Sequence, residues 1–190
     1  MLKNLFISKV RVKILDQYMT NFNASFHVRG LVRILDEEIN AVRRELLNLQ
    51  DAGILKSHKE GNKLVYKLNK DCSILWELRS MFFKESKIGT AILKETATVE
   101  GIQVIVLTDS FLKNEYNNPT DLDLLVIGTM KIKDLSNAIA QVEKELGREI
   151  RFSAITKEDF DFARKKKEPF LMNILENDKI ILFGQISDLL

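Results

Sequence analysis

Residues 38–53 read EINAVRRELLNLQDAG, and their apolar spacing predicts a helix from Glu38 to Asp51 that stops at Gly53. Around this helix four aliphatic side chains share one arc: Ile39, Val42, Leu46 and Leu49. The opposite arc is polar and contains Asn40, Arg44 and Asn48, with Arg43 at its flank. We therefore expect one side of the helix to be buried and the other to present amide and guanidinium groups.

The polar arc has side chains that suit the recognition of DNA bases. Arginine can donate two hydrogen bonds to guanine, asparagine can pair with adenine, and both reach base edges from a helix in the major groove. Residues 1–72 hold 13 lysines and arginines against 8 acidic residues, a net charge of +5, whereas residues 73–190 have a net charge of −3. This asymmetry indicates that the first half of the chain meets a polyanion.

The sequence before this helix predicts two further helices. Apolar spacing indicates one over residues 5–19 and a shorter one over residues 28–35, whose polar side contains Arg29 and Arg33. The acidic cluster Asp36-Glu37-Glu38 then predicts a turn and the start of the third helix, because carboxylates stabilise the positive end of a helix dipole. Together these segments predict a helix, helix, turn, helix order.

The sequence after Gly53 predicts a β-hairpin. Strand-like runs over residues 54–59 and 63–68 flank a turn at Gly61-Asn62. In the second run Leu64, Tyr66 and Leu68 are expected to pack, and the residues between them to form a largely cationic face.

This order of elements resembles a winged helix-turn-helix domain over about residues 3–84. Three segments look like those of prokaryotic winged-helix transcriptional regulators: Phe26-His27-Val28-Arg29, Asn40-Ala41-Val42-Arg43-Arg44-Glu45-Leu46 and Glu60-Gly61-Asn62-Lys63. The resemblance implies that the third helix contacts bases and that the hairpin, or wing, contacts the DNA backbone. It assigns Asn40, Arg43 and Arg44 to the bases, and Lys59, Asn62 and Lys63 to the backbone. The alternative is a domain for protein contacts whose arginines form a solvated face.

The second half of the chain has a different pattern. An apolar helix near residues 76–83 is expected either to pack in a core or to form a subunit seam. Beyond it, strands over 104–107, 122–127, 149–155 and 180–183 alternate with helices over 132–146, 157–167 and 170–175, and residues 108–120 read as a polar loop. The fold class is thus α+β and α/β, with a winged-helix domain over residues 1–84 and a small mixed-sheet domain over residues 85–190.

Two carboxylates, Asp121 and Asp123, are spaced to project from the same face of the strand 122–127. Such a pair suits Mg²⁺, although a polar strand end has the same spacing. With Asp109-Ser110, Gly147-Arg148-Glu149-Ile150 and Glu168-Pro169-Phe170-Leu171, this pattern is similar to the minimal nucleotidyltransferases of the polymerase beta superfamily, over about residues 86–184. The resemblance implies Asp121 and Asp123 as metal ligands, Ser110 as a nucleotide contact, and Mg²⁺ with a nucleoside triphosphate as cofactors if the domain is active.

The sequence departs from that family at two positions. Active members begin the site with Gly-Ser, where this chain has Asp109-Ser110, and they supply a third acid where this chain aligns Arg151. A cation at Arg151 would neutralise Asp121 or Asp123 in place of a metal. These departures favour a vestigial site, whereas an alignment shifted by two residues would make Glu149 the third acid and restore an enzyme.

These observations predict a cytoplasmic DNA-binding transcriptional regulator that acts on double-stranded DNA as a homodimer. Its second domain is expected to sense a ligand, dimerise or bind a protein partner. The alternative is an active nucleotidyltransferase that modifies a protein or RNA, or an antitoxin-like partner of a toxin. The absence of a 20-residue apolar run argues against a membrane span. The single cysteine, Cys72, and two histidines argue against a disulfide framework and a conventional zinc cluster.

Overall fold

A computed structural model describes residues 2–113, 115–185 and 187, apart from the side chain of Lys3. The chain divides into two compact units, Met1–Glu85 and Ser86–Leu190. Each unit combines helices with its own sheet, as the mixed fold class predicted. In the described part of the chain, no helix is both long enough and apolar enough to cross a bilayer.

The first unit contains five helices and three strands in its described residues: α1 (Leu2–Leu5), α2 (Lys9–Thr20), β1 (Ser25–His27), α3 (Val28–Leu35), α4 (Ile39–Asp51), β2 (Leu55–Glu60), β3 (Lys63–Leu68) and α5 (Leu75–Glu85). The strands form an antiparallel sheet in the order β1-β3-β2. This is the arrangement of a winged helix-turn-helix domain. The predicted first helix, over residues 5–19, starts later as α2 at Lys9, because Ser8 caps it by accepting a hydrogen bond from the N–H of Arg11. The short helix α1 precedes it.

Helices α2, α4 and α5 pack with the sheet around one apolar core. The predicted buried arc of α4 is confirmed for Val42, Leu46 and Leu49, which are each no more than 2% exposed. Its fourth member, Ile39, is only half-buried and lies at the start of the helix. Helix α5 places Leu75 and Phe82 in the same core, in line with the core-packing alternative. Burial of these faces supplies most of the stability that the helices lack in isolation.

Helices α3 and α4 are each capped at the amino end by a side chain that is uncommon in this role. Glu38 accepts hydrogen bonds from the N–H groups of Asn40 and Ala41, which confirms the predicted acidic start of α4. His27 caps α3, because its Nδ1 accepts a hydrogen bond from the N–H of Gly30 at 3.0 Å. A Cβ atom at Gly30 would lie 2.6 Å from that Nδ1, so a glycine is what leaves room for the capping ring.

The hairpin differs from its prediction at two residues, Leu64 and Val65. Tyr66 and Leu68 pack in the core as expected, but Leu64 is 40% exposed because it lies nearer the tip of the hairpin. Val65, expected on the cationic face, is buried instead. The tip turns at Gly61, whose positive φ of 56° is a conformation that glycine adopts readily.

An ion pair joins α2 to α4 across this unit. Arg11 Nε donates to Glu45 Oε2 at 2.8 Å, and the Glu45 side chain is only 5% exposed. Burial tends to raise the pKa of Glu45, but hydrogen bonds from Ser8, Arg11 and Asn48 outweigh it and lower the pKa. The pair therefore holds α4 against α2 and turns its central carboxylate away from solvent.

The second unit contains helices α6 (Lys87–Thr96), α7 (Asp109–Lys113), α8 (Ile132–Leu146), α9 (Lys157–Lys166) and α10 (Pro169–Glu176), with strands β4 (Ile102–Leu107), β5 (Leu124–Gly128), β6 (Phe152–Ile155) and β7 (Ile180–Phe183). The strand order is β6-β5-β4-β7, with β5 parallel to β6 and the other pairs antiparallel. Two strands start later than predicted, β5 at Leu124 and β6 at Phe152, and α7 replaces part of the predicted polar loop.

The sheet of the second unit is buried on both faces. Leu125 and Ile127 pack with Phe160 of α9 and Leu171 of α10 in one apolar cluster. The residues that alternate with them, Leu124 and Val126, are also 0% exposed. Strand β5 is thus a central, fully covered strand. The residues that precede it, at the end of the sheet where β5 begins, include the predicted metal ligands Asp121 and Asp123.

We predict that Glu45→Gln lowers the free energy of unfolding at pH 7 by about 1 kcal/mol, because it replaces a charged hydrogen-bond acceptor with a neutral one. The lowered pKa of Glu45 means that its stabilisation is present above the ordinary value of 4.5 and is lost as the pH falls through the lowered pKa. The deficit of the variant should therefore shrink on acidification. Urea unfolding followed by the fluorescence of Trp76, the single tryptophan, measures it in the first unit.

The matched control is Glu77→Gln, which changes an exposed carboxylate of α5 in the same unit. We expect the control to unfold like the wild type at pH 7. A deficit in Glu45→Gln that stays constant from pH 7 to pH 3 would contradict the role of the ionised pair.

Candidate nucleic-acid interface and the aspartate site

Helix α4 presents the predicted base-contacting residues to solvent. Asn40, Arg43 and Arg44 are all exposed and lie outside the arc that packs in the core. The carboxylate of Glu45 lies next to them in sequence but is held by Arg11 on the buried side. The outer face of α4 therefore keeps its cationic and amide groups without a carboxylate at its centre.

A groove of about 530 Å³ lies between the start of α3, helix α4 and the hairpin. Its lining combines cationic, polar and apolar side chains: His27, Val28, Arg29, Arg33, Ile39, Arg43, Asn62, Lys63 and Leu64. No residue in this lining is acidic. The folding of the chain thus gathers cations from three separate elements around one concave surface, which is the form that a phosphate-binding surface takes.

The structure places the six predicted DNA-binding residues in three positions. Arg43, Asn62 and Lys63 line the groove. Asn40 and Arg44 lie on the outward side of α4, and Lys59 lies on β2, paired across the hairpin with Leu64. The hairpin also contains an acid, since Glu60 pairs with Lys63 in the strand register and contacts the ring of His58 at 2.8 Å.

Two groove residues were not assigned a role from the sequence, namely Arg29 and Arg33 of α3. They are four residues apart and therefore occupy the same side of that helix. Their positions on its polar side were apparent from periodicity, but their approach to α4 and the hairpin depends on the tertiary fold. The cap that His27 provides fixes the end of α3 from which Arg29 projects.

In the second unit, Asp123 is a buried carboxylate with its charge already compensated. It is 2% exposed and precedes β5. Its Oδ1 accepts hydrogen bonds from the hydroxyl of Tyr116 and from Arg148 Nη2, the latter at 3.2 Å. Its Oδ2 accepts a bond of 2.9 Å from the backbone N–H of Arg151. Both carboxylate oxygens are thus occupied by donors from the protein.

The cation that pairs with Asp123 is Arg148, and this corrects the predicted role of Arg151. Arg151 contributes its backbone N–H, while its guanidinium lies over the ring of Tyr116 at 5.0 Å. The guanidinium of Arg148 lies over the ring of Phe111 at 5.1 Å. Burial, and then the carboxylate of Asp123, raise the pKa of Tyr116, so its hydroxyl keeps the proton that it donates.

Asp121 does not share this environment, contrary to the prediction that both aspartates project from one strand face. Both precede β5, and Asp121 Oδ2 accepts hydrogen bonds from the N–H groups of Asn117 and Asn118 at 2.7 and 2.9 Å. Asp121 therefore closes its own turn. It lines a small cavity together with Asp109 and Ser110, which Asp123 does not line.

That cavity does not fit a nucleotide. Its volume is about 20 Å³, which is room for about one water molecule. Asp109 at its edge is paired with Lys113 at 2.8 Å, so an anion stands where the family resemblance places phosphates. Within the described residues no group of three or more histidine, cysteine or acidic side chains could hold a metal, and Glu149 is exposed. The residues present therefore do not fit Mg²⁺ and a nucleoside triphosphate.

Comparison with known proteins adds weak similarity to solved structures. No protein-family model and no curated protein matches the chain. Among solved structures, reduced HlyU from Vibrio cholerae is similar at 22% sequence identity, over 44% of this chain and 82% of that chain, with a TM-score of 0.34. A TM-score at this level supports no structural conclusion, so the fold described above rests on the observed elements alone.

We predict that Asp123→Asn destabilises the second unit by about 2 kcal/mol, because it leaves the guanidinium of Arg148 without its countercharge. Arg148→Met in the Asp123→Asn background should restore part of the loss. Calorimetric melting of the full chain measures both effects in the transition of the second unit. Trp76 lies in the first unit, so its fluorescence does not follow that transition. Glu149→Gln, at an exposed carboxylate nearby, is the matched control and should melt like the wild type.

The same melting experiment tests the fit of a metal. We expect Mg²⁺ with ATP to leave the transition of the second unit unchanged. A Mg²⁺-dependent rise in melting temperature that Asp123→Asn abolishes would contradict the internal neutralisation of this carboxylate.

Proposed function

We propose that this protein is a transcriptional regulator whose first unit binds double-stranded DNA. Helix α4 enters the major groove, and the β2–β3 hairpin lies along the sugar-phosphate backbone. One observation supports the proposal most strongly: the groove draws cations from α3, α4 and the hairpin and has no acidic residue in its lining. Such a surface matches a chain of phosphates, whereas a solvated protein surface usually mixes both charges.

The dimensions of α4 suit the major groove. Its 13 residues span about 20 Å, and a helix with its side chains is about as wide as the groove of B-DNA. With the buried arc towards the core, Asn40 and Arg44 point outward to the base edges. Arg43 lies between those residues and the groove, where it can reach either a base or a phosphate.

The groove beside α4 then receives the phosphates of one strand. Arg29 and Arg33 approach that strand from α3, and Asn62 and Lys63 approach it from the hairpin. These contacts orient the protein on the duplex and do not depend on sequence, whereas Asn40 and Arg44 supply the sequence preference. The alternative of a protein-contact domain offers no reason for cations from three elements to converge.

For the second unit we propose a role without nucleotidyl transfer, in ligand sensing, dimerisation or partner binding. The support for this proposal is the neutralisation of Asp123 by Arg148 and the small volume beside Ser110 and Asp121. A single winged helix reads only a short half-site, so we further propose that two copies bind a symmetric operator.

We predict opposite signatures for two substitutions in the first unit. Arg44→Ala should reduce discrimination at one base position by about 1–3 kcal/mol, because it removes a base-edge contact. Lys63→Ala should weaken binding to all duplexes alike and reduce the salt slope by about 0.9 for each copy bound, because it removes a phosphate contact. Fluorescence anisotropy on duplexes selected from a random pool, repeated at several salt concentrations, separates the two.

The control for charge is Lys165→Ala, which removes an exposed lysine from the second unit. We expect it to change neither sequence preference nor salt slope. If the wild type shows no salt-dependent affinity for any duplex, the proposed function fails.

We also predict that Arg33→Ala acts like Lys63→Ala, although Arg33 lies on α3 and not on α4 or the hairpin. The affinity should fall evenly across sequences, with a similar reduction in salt slope. A change in base preference with an unchanged slope would place Arg33 at the bases instead. The same anisotropy series provides the measurement.

A further inference from the structure

One apolar side chain lies on the outward face of α4. Leu47 is 44% exposed, whereas Val42, Leu46 and Leu49 of the same helix are at most 2% exposed. It lies three residues after Arg44 and seven after Asn40, so all three share one face of the helix. Leu47 thus stands among the polar groups that the proposed function directs to the base edges.

The chemistry of Leu47 limits what it can recognise in that position. Its side chain has no donor or acceptor, so it cannot pair with a phosphate or with the polar edge of a base. Among the four bases only thymine presents an apolar group, its C5 methyl, in the major groove. A leucine one turn beyond Arg44 on this face therefore complements a thymine next to the bases that Asn40 and Arg44 contact.

We infer that Leu47 is a specificity-determining residue that packs against a thymine methyl. The inference rests on the proposed function, since it requires α4 in the major groove. It goes beyond that function because it assigns thymine to one position of the binding site, where the base is recognised by its methyl group and not by hydrogen bonds. Burying one methyl group against Leu47 should contribute about fourfold in affinity for each thymine contacted.

Replacing thymine by deoxyuridine tests this inference directly. Deoxyuridine removes the C5 methyl and keeps the base-pairing groups, so the loss reports the methyl contact. The duplex with the highest affinity is selected from a random pool, and each thymine is exchanged in turn. For the wild type we expect one position in each half-site at which the exchange weakens binding about fourfold.

Leu47→Ala should bind the thymine and deoxyuridine duplexes equally at that position. Leu47→Gln, which retains a long side chain and good helix propensity, provides a second variant and should also lose the difference. Ile74→Ala removes a similarly exposed aliphatic side chain from the same unit and should keep the fourfold difference. Thermal melting of each variant checks that it is folded.

The outcomes separate this inference from the proposed function. If the wild type binds DNA but responds to no exchange, the inference is overturned and DNA binding stands. If the wild type responds and both Leu47 variants respond equally, another residue contacts the methyl and the inference is again overturned. If the wild type binds no duplex, the proposed function fails and the inference fails with it.

Discussion

Helix α4 has to bury one arc in a core and leave the opposite arc in solvent, and Glu45 lies close to the boundary between the two. A carboxylate there could turn either way. Arg11 of α2 draws it inward at 2.8 Å, and Ser8 and Asn48 add further hydrogen bonds. The outward arc is then free of an acid at its centre, and the groove beside it collects arginines from neighbouring elements. A contact inside the unit thus sets the electrostatic character of its surface.

In the second unit, too, an arginine compensates a buried carboxylate, that of Asp123. A carboxylate with 2% exposure needs a compensating charge, and Arg148 supplies one in company with a phenol and a backbone amide. These donors come from the segment after α7 and from the segment that leads into β6. Asp123 therefore joins two loops at the edge of the sheet. Both oxygens of this carboxylate are thus engaged by donors from the protein, an arrangement that the spacing of Asp121 and Asp123 alone does not reveal.

Local patterns in the sequence predicted the features that local forces determine. The buried arc of α4 follows from its periodicity, and the start of α4 follows from the charge of Glu38. Features that depend on distant parts of the chain could not be found in this way. Alternation along β3 does not reveal that Leu64 is exposed and Val65 buried. The charge of Arg151 does not reveal that its backbone N–H is the group that Asp123 binds. The arrival of Arg29 and Arg33 beside α4 is likewise a property of the assembled unit.

The pairing of His27 with Gly30 has a consequence for how this chain can diverge. The imidazole occupies the space where any other residue at position 30 would place its first side-chain carbon. Position 30 therefore cannot change while His27 caps the helix that bears two groove arginines, whereas another capping residue at position 27 would leave Gly30 undisturbed. Related chains that keep His27 should keep Gly30 as well, and a histidine at position 27 beside any other residue at position 30 would mark a lineage in which this surface has been rebuilt.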